Sequence, residues 1–243
     1  MIPWIQIDRV QVPGAEVELS LKRRGAEFSM MLGQNELMNS RLSGSEEALA
    51  TLSCRRIDGV KRPHVLIGGL GMGFTLRAAL AVLGADARIV VAELVPAVIG
   101  WARGPMAELF GDSLTDSRVK IREADVADVI GSSRQAFDAV LLDVDNGPEG
   151  LIRKANDALY DAKGLQAIRA ALRPGGVLAV WSSGPNVAFT KRLRAADFDV
   201  NEVGVRATTK RSGAHHVIWF ATKQKPPAET FKAANSKATK ARG

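Results

Sequence analysis

"HVLIGGLGMGF", residues 64 to 74, carries the reading of the fold. An apolar strand runs into Gly69-Leu70-Gly71-Met72-Gly73, and the following "GFTLRAALAVLG" has the apolar spacing of a helix. Glycines belong at such a junction for two reasons. The turn from strand to helix is tight, and a bound nucleotide must approach the backbone closer than a Cβ allows. Taken alone the cluster also fits a turn that merely packs well. No G-x-x-x-x-G-K-[ST] follows, which disfavours phosphate-loop chemistry.

Working outward, the same alternation recurs. "ARIVVAEL" reads as a strand and "PAVIGWARGPMAELFG" as a helix with Pro96 in its first turn. "RVKIREAD" and "FDAVLLDVD" are further strands, with a short helix near "VADVIGSS" between them. "GLQAIRAALRPGG" is helical and ends at Pro174-Gly175-Gly176 before the buried strand "VLAVWSS". "FDVNEVGVRA" and "AHHVIWFATK" close the pattern as two strands with no helix between them. Strands alternating with helices require a parallel sheet covered on both faces, and the final pair implies an antiparallel edge. The fold class is therefore α/β and Rossmann-like, a mostly parallel seven-stranded sheet with an antiparallel last strand. Residues 4–33 alternate as short strands about a turn at Arg24-Gly25, while Leu37, Met38, Leu42, Ala48, Leu49 and Leu52 have helical spacing with a break at Ser43-Gly44-Ser45. The expected organisation is a small β-rich piece over 1–35, a nucleoside-binding domain over 36–222 and a basic, disordered tail over 223–243.

Composition narrows the function classes. With 243 residues, 46% of them hydrophobic, the chain can bury one full core. No apolar run reaches the roughly 20 residues needed to span a bilayer, and "MIPWIQIDRV" lacks the regions of a signal peptide. A cytoplasmic location with no membrane partner is expected. One cysteine, Cys54, and three histidines give no zinc spacing. Six basic residues against Glu229 lie from residue 223 onward, so the tail carries +5 of the +7 net charge and the first 222 residues only +2. No aromatic platform interleaves the tail lysines, so a solubilising end is expected rather than a nucleic-acid arm.

Two acids extend the glycine turn into a constellation. Glu93 closes "RIVVAE" about 20 residues after the last glycine, where a carboxylate accepts both hydroxyls of a ribose. Asp125 closes "VKIREAD", where a carboxylate can accept from an adenine amino group. The next strand ends in "DVDNGPEG", with Asp143, Asp145 and Asn146 on the same edge as the glycine turn. As bland alternatives, these acids cap helices or turns.

At this point the sequence resembles the class I S-adenosylmethionine-dependent methyltransferase fold and, within it, the spermidine synthase (polyamine aminopropyltransferase) family. The family's strand followed by G-G-G-D-G-G-x-L-R stands here as "VLIGGLGMGFTLR", and its V-E-[IL]-D-x-x-V as "VAELVPAV". Its D-P-R-V followed by G-D-G is matched by "DSRVKIREADV", and its Y-D-x-I-x-x-D-x-x-D-P-x-G-P by "FDAVLLDVDNGPEG". The resemblance covers roughly residues 20 to 185. It implies that Gly69, Leu70, Gly71, Gly73, Glu93 and Asp125 bind an S-adenosylmethionine-type nucleoside, with decarboxylated S-adenosylmethionine as co-substrate and no metal. It also implies Asp143 and Asp145 as catalytic acids acting on a small-molecule amine, and leaves a homodimer open. Some family positions have changed: Met72 stands for the acid of the glycine loop, Val95 for the acid after Glu93, and Asn146 for a second acid of the fourth strand. In "SEEA", Ser45 stands for a substrate-handling tyrosine.

Aminopropyl transfer is attack by a neutral amine on the carbon beside a sulfonium, expelling a thioether. It needs carboxylates to take a proton and hold a cation, and Asp143 is correctly typed as the base. Three other readings remain open. Asp143, Asp145 and Asn146 could ligate Mg²⁺ as in catechol-type O-methyltransferases, although those take their Asp-Asn pair from the next strand, which here ends "VWSSGPN". A methyltransferase would share the donor's pocket. A catalytically degenerate nucleoside-binding or adaptor protein would account for Met72, Ser45 and Val95. His64, His215, His216, Trp101, Trp181 and Trp219 read as structural.

Overall fold

The computed structural model describes residues 2–144, 158–208 and 213–225. The chain opens with an antiparallel sheet of β1 (Ile5–Gln11), β2 (Glu18–Arg24), β3 (Glu27–Leu32) and β4 (Asn35–Asn39), paired in chain order. The alternation read in residues 4–33 produces the first three strands of this sheet, whose buried face is apolar at Leu19, Leu21, Phe28 and Met30. The helical spacing assigned to Leu37 and Met38 is not realised. Both lie in β4, where Met38 pairs with Met30 beside a register shift, and the helix starts only at Gly44, with Ser43 of the Ser43-Gly44-Ser45 break as its N-cap. The interruption marks a change of element, since a two-residue apolar run fits either period.

Helix α1 (Gly44–Arg56) has Glu46 and Glu47 in its first turn and Arg55 and Arg56 in its last, the arrangement that suits the helix dipole. Then follow β5 (His64–Gly68), α2 (Phe74–Val82), β6 (Arg88–Glu93), α3 (Pro96–Arg103), α4 (Ala107–Phe110), β7 (Val119–Glu123), α5 (Val126–Gly131) and β8 (Phe137–Leu142). The chain ends, among the described residues, with α6 (Ala162–Ala171), β9 (Leu172–Ser182), α7 (Val187–Ala195), β10 (Phe198–Arg206) and β11 (His215–Lys223). Pro174-Gly175-Gly176 lies inside β9, at the register shift where its pairing with β8 is interrupted.

The main sheet runs β10-β11-β9-β8-β5-β6-β7. Strands β7, β6, β5, β8 and β9 are mutually parallel, whereas the last strand, β11, is antiparallel to both β9 and β10. This is the expected mostly parallel sheet with a reversed end. All six residues of β8 are buried, as a strand covered on both faces requires. Val65 and Ile67 of β5 face one core with α1, α2, α3 and the small sheet, while Leu66 faces another with α5, α6 and α7. The small sheet thus shares a continuous core with the main one, and Trp101 Nε1 of α3 donates to Asp8 of β1 at 2.8 Å. Strand order reverses between β5 and β8, which opens a crevice at their carboxyl ends.

Candidate active site

The crevice is floored by the glycine turn. Gly69, Gly71 and Gly73 have φ of +90°, +49° and +77°, a region that an L side chain enters only with strain. The space is as restrictive as the backbone: a Cβ on Gly69 would stand 2.5 Å from the carbonyl oxygen of Asp143, and one on Gly71 would meet Met38 Sδ at 2.9 Å. The ends of β5 and β8 therefore touch through a glycine, and β4 leans over the turn with Met38.

Glu93, at the end of β6, is buried to 7% exposure. Its Oε2 accepts the Leu70 N–H at 2.9 Å and its Oε1 the Val95 N–H at 2.8 Å. Burial raises its pKa and the backbone donors oppose that rise. The Gly71 and Leu94 N–H groups also act on the carboxylate, which anchors the turn and lines the cavity. Asp125 caps α5, its Oδ1 accepting the Ala127 N–H at 2.9 Å, and lines the same cavity. Capping and cavity-lining coincide here.

Asp143 follows β8, its own N–H donating to the Gly68 carbonyl at 3.0 Å. The Thr75 hydroxyl of α2 donates to Asp143 Oδ2 at 2.6 Å and lies 3.4 Å from the Glu46 carbonyl oxygen. Burial, and secondarily the Glu46 carboxylate, push Asp143 up to about 7 against the Thr75 bond. Burial also raises Glu46, against a 2.7 Å bond from the Ser45 hydroxyl. The cavity, about 160 Å³, thus holds Glu93, Asp125, Asp143 and Glu46, with an apolar end supplied by the small sheet through Val12, Leu19 and Met30.

Of the residues expected from sequence, Gly69, Gly71, Glu93, Asp125 and Asp143 come together around this cavity. Leu70 and Gly73 do not form its wall. Leu70 buries its side chain in the core and contributes its N–H to Glu93, and Gly73 caps α2 against the Phe110 ring. Met72 is fully buried in the core. Asp145 and Asn146 lie outside the described residues. Among the described residues, no three His, Cys, Asp or Glu side chains group as metal ligands would.

Sequence reading missed Glu46, Thr75 and Trp181. Trp181, read as core, lines the cavity, and its buried Nε1 has no hydrogen-bond partner among the described residues. His216, also read as structural, lines a second cavity of about 240 Å³ that shares Leu37, Met38, Glu46 and Trp181 with the first. The only sequence signal for Glu46 was its place beside Ser45 in "SEEA".

No family model matches the chain. Over 127 residues, 51% of its length, the chain is 34% identical to polyamine aminopropyltransferase 1 of Streptomyces coelicolor, and the match spans 23% of that relative. A crystal structure of spermidine synthase in complex with the transition-state analogue AdoDATO superposes with a TM-score of 0.70 at 21% identity, over 92% of this chain and 74% of that one. Human methyltransferase-like protein 13 in complex with SAH follows at a TM-score of 0.54 and 20% identity, over 76% and 81%. The chain therefore has a methyltransferase-like fold, and its resemblance to the spermidine synthase family is found in sequence over half its length and in fold over nine-tenths of it.

Proposed function

We propose that the chain binds decarboxylated S-adenosylmethionine in the crevice between β5 and β8 and transfers its aminopropyl group to an amine. Glu93 accepts from the ribose hydroxyls and Asp125 from the adenine amino group, and the backbone at Gly69 and Gly71 lines the cavity that takes the nucleoside. The observation that carries the reading is Asp143, a buried carboxyl beside the glycine turn whose pKa is pushed up to about 7. Such a group is partly ionised at neutral pH and matched to proton transfer.

In this reaction the acceptor enters as an ammonium. Desolvation in the cavity lowers its pKa, and Asp143 takes one proton. The amine lone pair then forms a bond to the methylene carbon beside the sulfonium. The C–S bond breaks with its electron pair on sulfur, leaving a neutral thioether. The product amine keeps its positive charge, so one proton is released per turnover. The names of the curated relative and of the spermidine synthase neighbour with AdoDATO support this reading.

The test is ligand-induced stabilisation followed by turnover. Methylthioadenosine and decarboxylated S-adenosylmethionine should raise the melting temperature more than S-adenosylmethionine or S-adenosylhomocysteine do, by the mass action of binding to the native state alone. Decarboxylated S-adenosylmethionine with a panel of amines should then yield methylthioadenosine. A preference for S-adenosylmethionine and its homocysteine product would replace this reading with methyl transfer, and no response to any of the four would leave a protein without a nucleoside site.

A further inference from the structure

The first turn of α1 connects the cavity to the far end of the sheet. Ser45 is fully buried, and its hydroxyl donates to Glu46 Oε2 at 2.7 Å while standing 2.9 Å from His216 Nδ1 of β11. Glu46 lines the nucleoside cavity with Asp143, and Ser45, Glu46 and His216 together line the second cavity. His216 is half-buried, held edge-on against Trp181 with ring centroids 4.8 Å apart, and its neighbour His215 is exposed. A continuous line of exchangeable protons thus runs from the cavity wall toward the exposed start of β11.

We propose that Glu46, Ser45 and His216 form the exit path for the proton released in each turnover, an inference that rests on the aminopropyl-transfer reading above. The hydroxyl between the two titratable groups makes the path reversible in direction. With Glu46 ionised, Ser45 donates to it and accepts from a protonated Nδ1. With Glu46 protonated, the carboxyl donates to Ser45 and Ser45 donates to a bare Nδ1. After Asp143 has taken the acceptor's proton, that proton passes across the shared cavity to Glu46. Glu46 gives it to the Ser45 oxygen as Ser45 gives its own to His216 Nδ1, and the imidazolium then loses its Nε2 proton to solvent. Asp143 and Glu46 end ionised and His216 neutral with its proton on Nδ1, so one proton leaves, and exchange of the ring proton from Nδ1 to Nε2 through solvent returns Nδ1 to an acceptor for the next turnover.

The surrounding charges favour this cycle. Burial and the neighbouring His215 hold the His216 pKa below its usual value, so it starts neutral. Glu46 faces Asp143 across the cavity and Glu47 on its own helix. Glu36 of β4, the remaining acid of the second cavity, is occupied by Ser29 and Asn39 hydrogen bonds and by an ion pair to Arg41.

Two measurements on the 243-residue chain decide the matter. In an NMR titration of imidazole nitrogens, the His216 midpoint should fall by roughly half a pH unit in Ser45→Ala and in Glu46→Gln, because each removes stabilisation of the imidazolium. This readout needs no activity, so it separates the bonded chain from the reaction assigned to the cavity. In turnover, Ser45→Ala and His216→Ala should lower kcat about tenfold or more, since positioned proton transfer contributes about 10²–10⁴-fold and water replaces part of it. Nucleoside-induced stabilisation should be preserved. Added imidazole should restore His216→Ala and leave Ser45→Ala slow. An unmoved His216 midpoint overturns the bonded chain. A moved midpoint with unchanged kcat, or no rescue by imidazole, overturns its role in proton exit. A wild-type protein that transfers nothing refutes the aminopropyl reading, and the exit path falls with it, whatever the titration shows of the bonds.

Discussion

Replacing Gly69 by alanine tests the geometry on which the site is built. Two costs combine. Alanine at φ +90° pays the left-handed backbone penalty, about 1–2 kcal/mol. Its Cβ would also begin 2.5 Å from the Asp143 carbonyl oxygen, a backbone atom that cannot swing aside, so the ends of β5 and β8 must part. Forced overpacking of this kind costs about 1–3 kcal/mol. The loss of unfolded-state freedom returns only about 0.4–1 kcal/mol. The net expectation is about 2–4 kcal/mol, a fall of about 5–15 °C in melting temperature for a chain of this size. Gly59 supplies the control: its φ is +80°, yet nothing stands within 4 Å of a Cβ there, so Gly59→Ala pays the backbone penalty alone. Denaturant and thermal melts of both variants should therefore differ by the contact cost, and only Gly69→Ala should weaken stabilisation by methylthioadenosine. If Gly69→Ala is no more destabilising than Gly59→Ala, the close approach of the two strand ends is wrong.

Further outcomes follow from the acids. Asp143 is raised from 3.8 to about 7, so the native state holds its proton more tightly than the unfolded chain and loses stability as pH climbs from about 4 to 7. Asp143→Asn should therefore abolish transfer yet exceed the wild type in stability above pH 7 by up to about 4 kcal/mol, with the gap closing below pH 4; a pH-independent difference in urea melts would contradict this. Glu93→Ala strips the acceptor from the Leu70 and Val95 N–H groups and should cost about 2–4 kcal/mol of stability as well as nucleoside affinity, measured by calorimetric titration and melting. Asp125→Asn, which can still cap α5, should keep stability within about 1 kcal/mol while weakening adenosine binding; an equal loss of both would assign Asp125 to capping alone.

The glycine turn and the acids at the ends of β6, β7 and β8 were legible because each is a local signal. Each apolar run, ending in a glycine turn that needs positive φ or in a carboxylate, is complete within about ten residues. The stretch from Leu37 to Leu42 misled for the same reason: two adjacent apolar residues satisfy helix and strand alike, and the choice was made by pairing with β3. Leu70 and Met72 sit inside the motif by sequence, yet their side chains turn into the core and leave the cavity wall to their neighbours.

By itself, then, the order of residues determined the parallel sheet, its reversed end and the carboxyl edge that carries the glycine turn and the acids, since periodicity and turn chemistry are properties of short segments, whereas the strand order that opens the crevice between β5 and β8 came from the tertiary structure. Only the tertiary structure decided that Glu46 faces Asp143, that Ser45 joins Glu46 to His216, and that Trp181 and Met38 close the space between them. These partners lie up to 171 residues apart, and what they do to one another depends on burial and distance, neither of which is written in the spacing of a chain.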